Sequence, residues 1–301
     1  MSLFSRQSLT MASERRSLRS DQSGSTLIEI MVSLVIGLVV VGAVMVNYLS
    51  SGLSGKARSA YSQMSEDAQI AFTIMGRDIS QAGYSRAVAL VTGGGGTSTM
   101  SRFYTGRPVF GCNTAFTSPT ATTSTVSCGG TVGHSFEVVY EADSLNALTI
   151  NGTQRDCLGS AVGTTTLASG TTGFVVYNRY FVKSATAGRP ELYCAGGSLG
   201  SPISAPIVEN VESMTVSYGE AASAASRQPV RYVDAASVTD WSAVVSVRIC
   251  LLMRSSEPIL QSDEAQTLSY TDCSLTSQTI SDRYARRAFF STVALRNKVS
   301  F

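Results

Sequence analysis

One carboxylate stands inside an otherwise apolar run, and that placement constrains this chain more than anything else in it. The run opens as Gly24-Ser25-Thr26-Leu27-Ile28-Glu29-Ile30-Met31-Val32, and from Leu27 to Leu49 the only charged side chain is Glu29. About 20 apolar residues match a bilayer core crossed at about 1.5 Å per residue, whereas a secretory h-region is shorter. The segment therefore reads as a retained membrane helix. An uncompensated carboxylate at that depth costs roughly 3 kcal/mol on insertion scales. A cut between Gly24 and Ser25 would put the new Ser25 amine on the helical face of Glu29 and supply the missing cation.

The residues upstream set the orientation. Arg6, Arg15, Arg16 and Arg19 outweigh Glu14 and Asp21, so the positive-inside rule keeps the N-terminus cytoplasmic and sends the remainder across. Arg15-Arg16 could open a twin-arginine export signal, but the polar gap from Ser20 to Thr26 separates it from the apolar run, and charges that orient the helix are the better account. With 301 residues, 44% hydrophobic and 15% charged, the chain can bury one large domain beyond the anchor. A formal charge of +2 without a polybasic run outside the first residues argues against nucleic acid as a partner. Cys112, Cys128, Cys157, Cys194, Cys250 and Cys273 all fall on the exported side, and their even number reads as disulfides. No C-x-x-C pair supports zinc, and no metal or cofactor is assigned. Fifteen connectivities are open to six cysteines, with sequential pairing as the starting expectation.

Helical spacing continues past the apolar run. Ser50-Ser51-Gly52-Leu53-Ser54-Gly55 is a soft spot where the helix can bend or melt. Ala57, Ala60, Tyr61, Met64, Ala68, Ala71, Phe72, Met75, Ile79 and Ala82 then recur at three- and four-residue intervals, and Gly83 is a C-terminal stop. A single apolar stripe of this kind is what a helix lying on a globular domain presents. From Tyr84 onward Gly, Ser, Thr and β-branched residues predict strands at Phe136 to Tyr140, Ala147 to Ile150, Phe174 to Val182, Leu192 to Cys194, Met214 to Tyr218, Ala243 to Leu252 and Phe289 to Leu295. Val245, Val247, Ile249 and Leu251 share one face, as do Phe289, Ser291, Val293 and Leu295. The Thr, Ser and Gly tracts Val91 to Met100, Ser118 to Gly133 and Gly159 to Gly173 are expected as exposed loops.

No catalytic grouping emerges. Gly93 to Gly96 lacks the Gly-Lys-Ser/Thr that a phosphate loop needs, and the single histidine, His134, reads as structural at a strand edge. Glu66, Asp67, Asp78, Glu137, Glu141, Asp143, Glu209, Glu212, Asp234, Asp240, Asp263, Glu264, Asp272 and Asp282 are scattered without calcium-loop spacing and are expected mostly in solvent. Arg283, Arg286 and Arg287 are either salt-bridge partners or a contact surface for a neighbouring subunit.

A basic leader, Gly24, and then Thr26-Leu27-Ile28-Glu29 opening a hydrophobic helix resemble a type IV prepilin. The resemblance implies cleavage by prepilin peptidase between Gly24 and Ser25, N-methylation of Ser25, and a role for Glu29 in assembly. Ser25 departs from the usual Phe at that position, which supports cleavage better than methylation. Three further segments resemble PilW-type minor pilins: Arg77-Asp78-Ile79-Ser80-Gln81-Ala82-Gly83-Tyr84 at the helix end, Val208 to Gly219 as a mid-domain strand, and Ala288 to Asn297 as the terminal strand. The implied fold is α+β, a long N-terminal pilin helix with a membrane-spanning first half, packed on a β-rich, mainly antiparallel periplasmic domain. Its parts would be a leader over 1–24, the helix over 25–83 with its membrane span at about 27–49, and the domain over 84–301. The implied role is a non-enzymatic minor pilin that primes type IV pilus assembly and sits at the tip, supporting twitching motility and adhesion. Implied partners are prepilin peptidase, other minor pilins and the major pilin, the inner-membrane assembly platform, a tip adhesin, and the lipid bilayer before assembly. Implied location is the inner membrane, then the pilus at the cell surface. A J-type minor pseudopilin of a type II secretion system shares this architecture, and a membrane-tethered periplasmic enzyme or binding domain is the option from another class.

Overall fold

Apolar spacing decides the first element. In the computed structural model, which describes residues 24, 26–92, 98–122, 126–130, 133–147, 149–166, 171–184, 188–197, 202–259 and 267–297, α1 is Leu27–Gln81. The expected soft spot does not end it, since helical hydrogen bonding carries through Gly52 and Gly55. By its internal contacts the chain divides into two units, Met1–Gly52 and Leu53–Phe301. In the first, Leu27–Tyr48 has a mean hydropathy of 2.7 and is long and apolar enough to cross a membrane. In the second, Met64, Ala68, Ala71, Met75, Ile79 and Ala82 of the stripe are buried in the core and Phe72 packs half-buried against it, while Tyr61 stays exposed. Burying Met64, Met75 and Ile79 contributes about 5–9 kcal/mol as an upper bound. The helix ends because Gly83 takes φ +74° and turns its N–H to Val139 O at 2.9 Å.

Among the described residues sixteen strands follow, all in antiparallel pairs. β1 (Ala87–Thr92) and β2 (Ser98–Arg102) form a hairpin. β3 (Val109–Cys112), β4 (Ser135–Ala142), β5 (Thr149–Ile150), β6 (Thr153–Gln154), β7 (Thr164–Thr166), β8 (Thr172–Ser184), β9 (Pro190–Gly196) and β10 (Ile203–Glu209) come next. The first large sheet has the order β10-β9-β8-β4-β3, with β7 on β8, and β5 pairs only with β6. β11 (Val211–Ala221), β12 (Pro229–Val233), β13 (Val244–Arg254) and β16 (Arg286–Ala294) make the second sheet in the order β12-β11-β13-β16, while β14 (Leu268–Thr271) pairs with β15 (Ser277–Ile280).

Both sheets and the second half of α1 close over one core. Phe136, Val138 and Tyr140 of β4, Val176 and Tyr180 of β8, Met214, Val216 and Tyr218 of β11, and Val247, Ile249 and Leu251 of β13 belong to the same buried cluster as the helix stripe. Tyr218 crosses the sheets so closely that a Cβ at Gly111 would lie 1.7 Å from its hydroxyl oxygen, which leaves glycine as the residue that fits there. The face of Phe289 and Val293 is half-buried, and Gly76 of α1 lies over Val293.

Some expectations change and others gain detail. The tract Val91 to Met100 supplies strand residues of the β1–β2 hairpin, with 93–97 outside the described residues. Ser118 to Gly133 is the exposed loop expected where it is described, with 123–125 and 131–132 outside the described residues, and it is anchored: Val126 packs with Cys112 and Phe116, and Arg179 Nη1 donates to Pro119 O and Ala121 O at 2.9 and 2.8 Å. Within Gly159 to Gly173, Val162 is buried and Thr164–Thr166 is the strand β7, although 167–170 lie outside the described residues. The stretch from Val208 to Gly219 is two strands, because Asn210, at φ 62°, turns the chain out of the first sheet as β10 and into the second as β11. Asparagine tolerates that left-handed conformation better than other side chains. β13 is also more deeply buried than a one-faced strand, with Arg248 its only exposed residue, because it is central and Cys250 is covered by a disulfide.

Candidate functional site

The start of α1 holds the sequence motif. Gly24 is exposed, and a Cβ placed on it meets nothing within 4 Å. Among the described residues nothing demands glycine there. Residues 1–23 and Ser25 lie outside the described residues, so the leader and the methylation candidate have no structural account. Thr26 caps the helix: its carbonyl accepts from Glu29 N at 3.0 Å and Ile30 N at 3.2 Å, and its Oγ1 accepts from Glu29 N at 3.4 Å. The Thr26-x-x-Glu29 spacing is that of a capping box, a signal present in the sequence that explains part of what Glu29 does locally. A carboxylate in the first turn also suits the positive end of the helix dipole. Around it, Leu27, Ile28, Ile30, Met31 and Val32 are 52–77% exposed. Glu29 thus stands on a helical surface that has no apolar cover of its own.

In the second unit the polar chemistry is structural. Asp78, expected in solvent, is 6% exposed, and its carboxylate receives Tyr140 Oη at 3.2 Å, Asn178 Nδ2 at 2.5 Å and Tyr180 Oη at 2.5 Å. Burial raises its pKa despite those three donors. The contact pins the helix to β4 and β8. Glu137 and Glu141 are buried too: Glu137 pairs with Arg179 at 2.6 Å, and Glu141 with Arg86 at 2.9 Å. Burial raises the Glu137 pKa, with Arg179 opposing it. Glu220 accepts from Thr239 Oγ1 at 2.6 Å and from Arg231 at 2.9 and 2.6 Å, which lowers its pKa to about 2. Asp78, Glu137 and Glu141 escaped sequence reasoning because their partners lie tens of residues away, and Glu220 because Arg231 and Thr239 follow it by 11 and 19 residues with no local spacing to mark the pairing.

The remaining candidates fall into place one by one. His134 Nδ1 accepts from Val216 N at 3.2 Å, and burial lowers its pKa, so it serves as a neutral acceptor between the sheets. Of the basic cluster, Arg286 is 6% exposed and bonds Glu212 at 2.6 Å and Asp282 at 2.5 Å, whereas Arg287 is exposed over the Phe289 ring. Asp263 and Glu264 lie outside the described residues. The cysteines form Cys112–Cys128, Cys157–Cys194 and Cys250–Cys273, with Cα separations of 5.5, 6.5 and 5.7 Å. Among the described residues, no three His, Cys, Asp or Glu side chains gather as a metal site would require. A cavity of about 220 Å³ is lined by Ile74, Tyr140 and Ala147 together with the charged residues Arg77, Asp78, Arg155 and Asp156.

Known proteins place these features in context. The family described as Type IV Pilus-assembly protein W matches residues 179–297, from the second half of β8 through the end of β16. The prokaryotic N-terminal methylation motif matches residues 19–45, covering Gly24, Ser25 and Glu29. A solved type IV-like pilin from Thermus thermophilus is similar at 15% identity, over 78% of this chain and 97% of its own, with a TM-score of 0.40. No curated protein matches.

Proposed function

We propose that this type IV pilin-like minor pilin, with a PilW domain behind an N-terminal methylation motif, primes pilus assembly from the membrane. PilW proteins are structural pilus components rather than enzymes. The observation that carries the proposal is the lone Glu29 at the capped end of an exposed apolar helix, Leu27–Tyr48. Such a surface is stable in lipid or against other apolar helices and nowhere else. Prepilin peptidase releases the Ser25 amine, which neutralises Glu29 in the bilayer. On leaving the membrane the helix joins similar helices of other minor pilins and the major pilin, drawn by the assembly platform, and Glu29 meets a neighbour's amine. The β-rich domain, exported to the periplasm and then carried at the pilus tip, makes the specific contacts that support motility and adhesion.

The test begins with the mature N-terminus. Edman sequencing or mass mapping from the native host should find Ser25 first, and Gly24→Val should leave the protein at precursor size. Because a Cβ at position 24 meets nothing within 4 Å among the described residues, a processing block reads on the peptidase. Glu29→Ala should insert normally yet be absent from sheared pili. A mature chain that starts elsewhere, or normal incorporation of the alanine variant, refutes the proposal.

A further inference from the structure

The outer face of the second sheet carries a groove of about 530 Å³ that the pilin reading does not account for. Register builds it. Thr215 stands opposite Cys250 and Ser217 opposite Arg248, while Cys250 faces Phe290 and Arg248 faces Thr292, so these six share one face. The neighbouring face, with Met214, Val216, Ile249 and Leu251, is the core. One wall is the turn between β14 and β15, fixed by the Cys250–Cys273 disulfide and by Asp272 Oδ1, which accepts from Ser274 N and Thr276 N at 2.9 Å each.

Two apolar side chains are presented on this face. Phe290 is 49% exposed on the floor, and Leu275 is 74% exposed on the rim. Leu275 also holds φ 60°, a conformation that disfavours a branched apolar residue. A solvated turn has no need of leucine there; covering it with a partner's apolar surface removes that exposure. Charge then selects the partner. Arg248 is the only charged residue lining the groove, it lies over the Tyr232 ring at 4.0 Å, and it has no ion pair among the described residues. A held guanidinium with no carboxylate paired to it among the described residues, beside Thr215, Ser217, Ser274 and Thr292, complements an anionic group.

We infer that this groove seats an acidic segment of another pilin subunit, with a carboxylate on Arg248 and an apolar side chain between Phe290 and Leu275. The identity of the occupant rests on the proposed minor-pilin role. The test places a photo-crosslinking amino acid at Thr292 of the full-length chain in cells that assemble pili, and maps the adduct by mass spectrometry. The expected adduct is a peptide of a second pilin with Asp or Glu beside the crosslinked position. Arg248→Glu should lower its yield about tenfold, and charge reversal of that acid should restore it. Leu275→Asn separates folding from docking, since asparagine suits φ 60° and should leave the melting temperature equal or higher, yet the yield should fall as well. Unchanged yield in both variants, an adduct peptide without an acid, or an adduct on lipid or glycan overturns the inference. If that happens in cells whose mature chain still begins at Ser25, the groove assignment fails alone and the minor-pilin reading stands.

Discussion

Replacing Asp78 by alanine is the most searching perturbation of this fold. The carboxylate draws Tyr140, Asn178 and Tyr180 onto the end of α1, and all three partners are 4% exposed or less. Each donor stranded without an acceptor costs about 1–3 kcal/mol, so three give roughly 3–9 kcal/mol. Against this stands the relief of no longer burying an acid whose pKa burial has raised. The net expectation is about 3–5 kcal/mol, the usual cost of removing one side of a buried polar cluster. For a domain of this size that is a fall of roughly 6–20 °C in melting temperature. Asp78→Asn keeps the volume and one acceptor oxygen, and should cost about 1–2 kcal/mol. The assay is thermal melting of the full chain in detergent, followed by fluorescence of Trp241, the single tryptophan, which packs 5.0 Å from Phe110 and 4.9 Å from Tyr218. If the alanine variant melts within about 2 °C of the parent, or no lower than the asparagine variant, the cluster does not hold the helix to the sheet.

Two further outcomes can be measured on the same sample. Glu220 has its pKa lowered from 4.5 to about 2 by Thr239 and Arg231; its contribution is complete above 4.5 and is lost as the pH falls toward 2, so Glu220→Gln should flatten the acid limb of stability against pH in urea titrations. Replacing Cys157 and Cys194 together by alanine opens a 37-residue separation and should cost about 4 kcal/mol, against about 3 kcal/mol for the 16-residue separation of Cys112 and Cys128, read from denaturation midpoints.

The parts legible in the sequence are those set by local spacing. The stripe from Met64 to Ala82 recurs every three or four residues because one helical face must be apolar, and the alternation in β13 and β16 follows from the pleat. Gly83 announced the end of the helix through its own backbone freedom. What spacing cannot convey is pairing across the chain: Asp78 meets residues 62, 100 and 102 positions away, and in the sequence it looks like any surface acid. The β1–β2 hairpin was hidden for a different reason: β1 is an apolar run from Ala87 to Val91 without alternation that ends against a Gly tract, and in β2 Met100 is the single apolar residue. Asn210 shows a third limit. A single residue at φ 62° divides what reads as one strand between two sheets, and nothing in its neighbours marks the turn. At the start of α1 the reverse holds, because Thr26 and Glu29 declare their capping relation by spacing alone.

The three disulfides each join a cysteine to the next one along the chain. A polypeptide that emerges from a channel from its N-terminal end exposes its thiols in that same order, so oxidising each pair as it appears yields the native bonds. No early bridge has to be undone to make a later one. Such a chain can mature with an oxidant alone, and the slow shuffling that interleaved connectivities impose is written out of its folding.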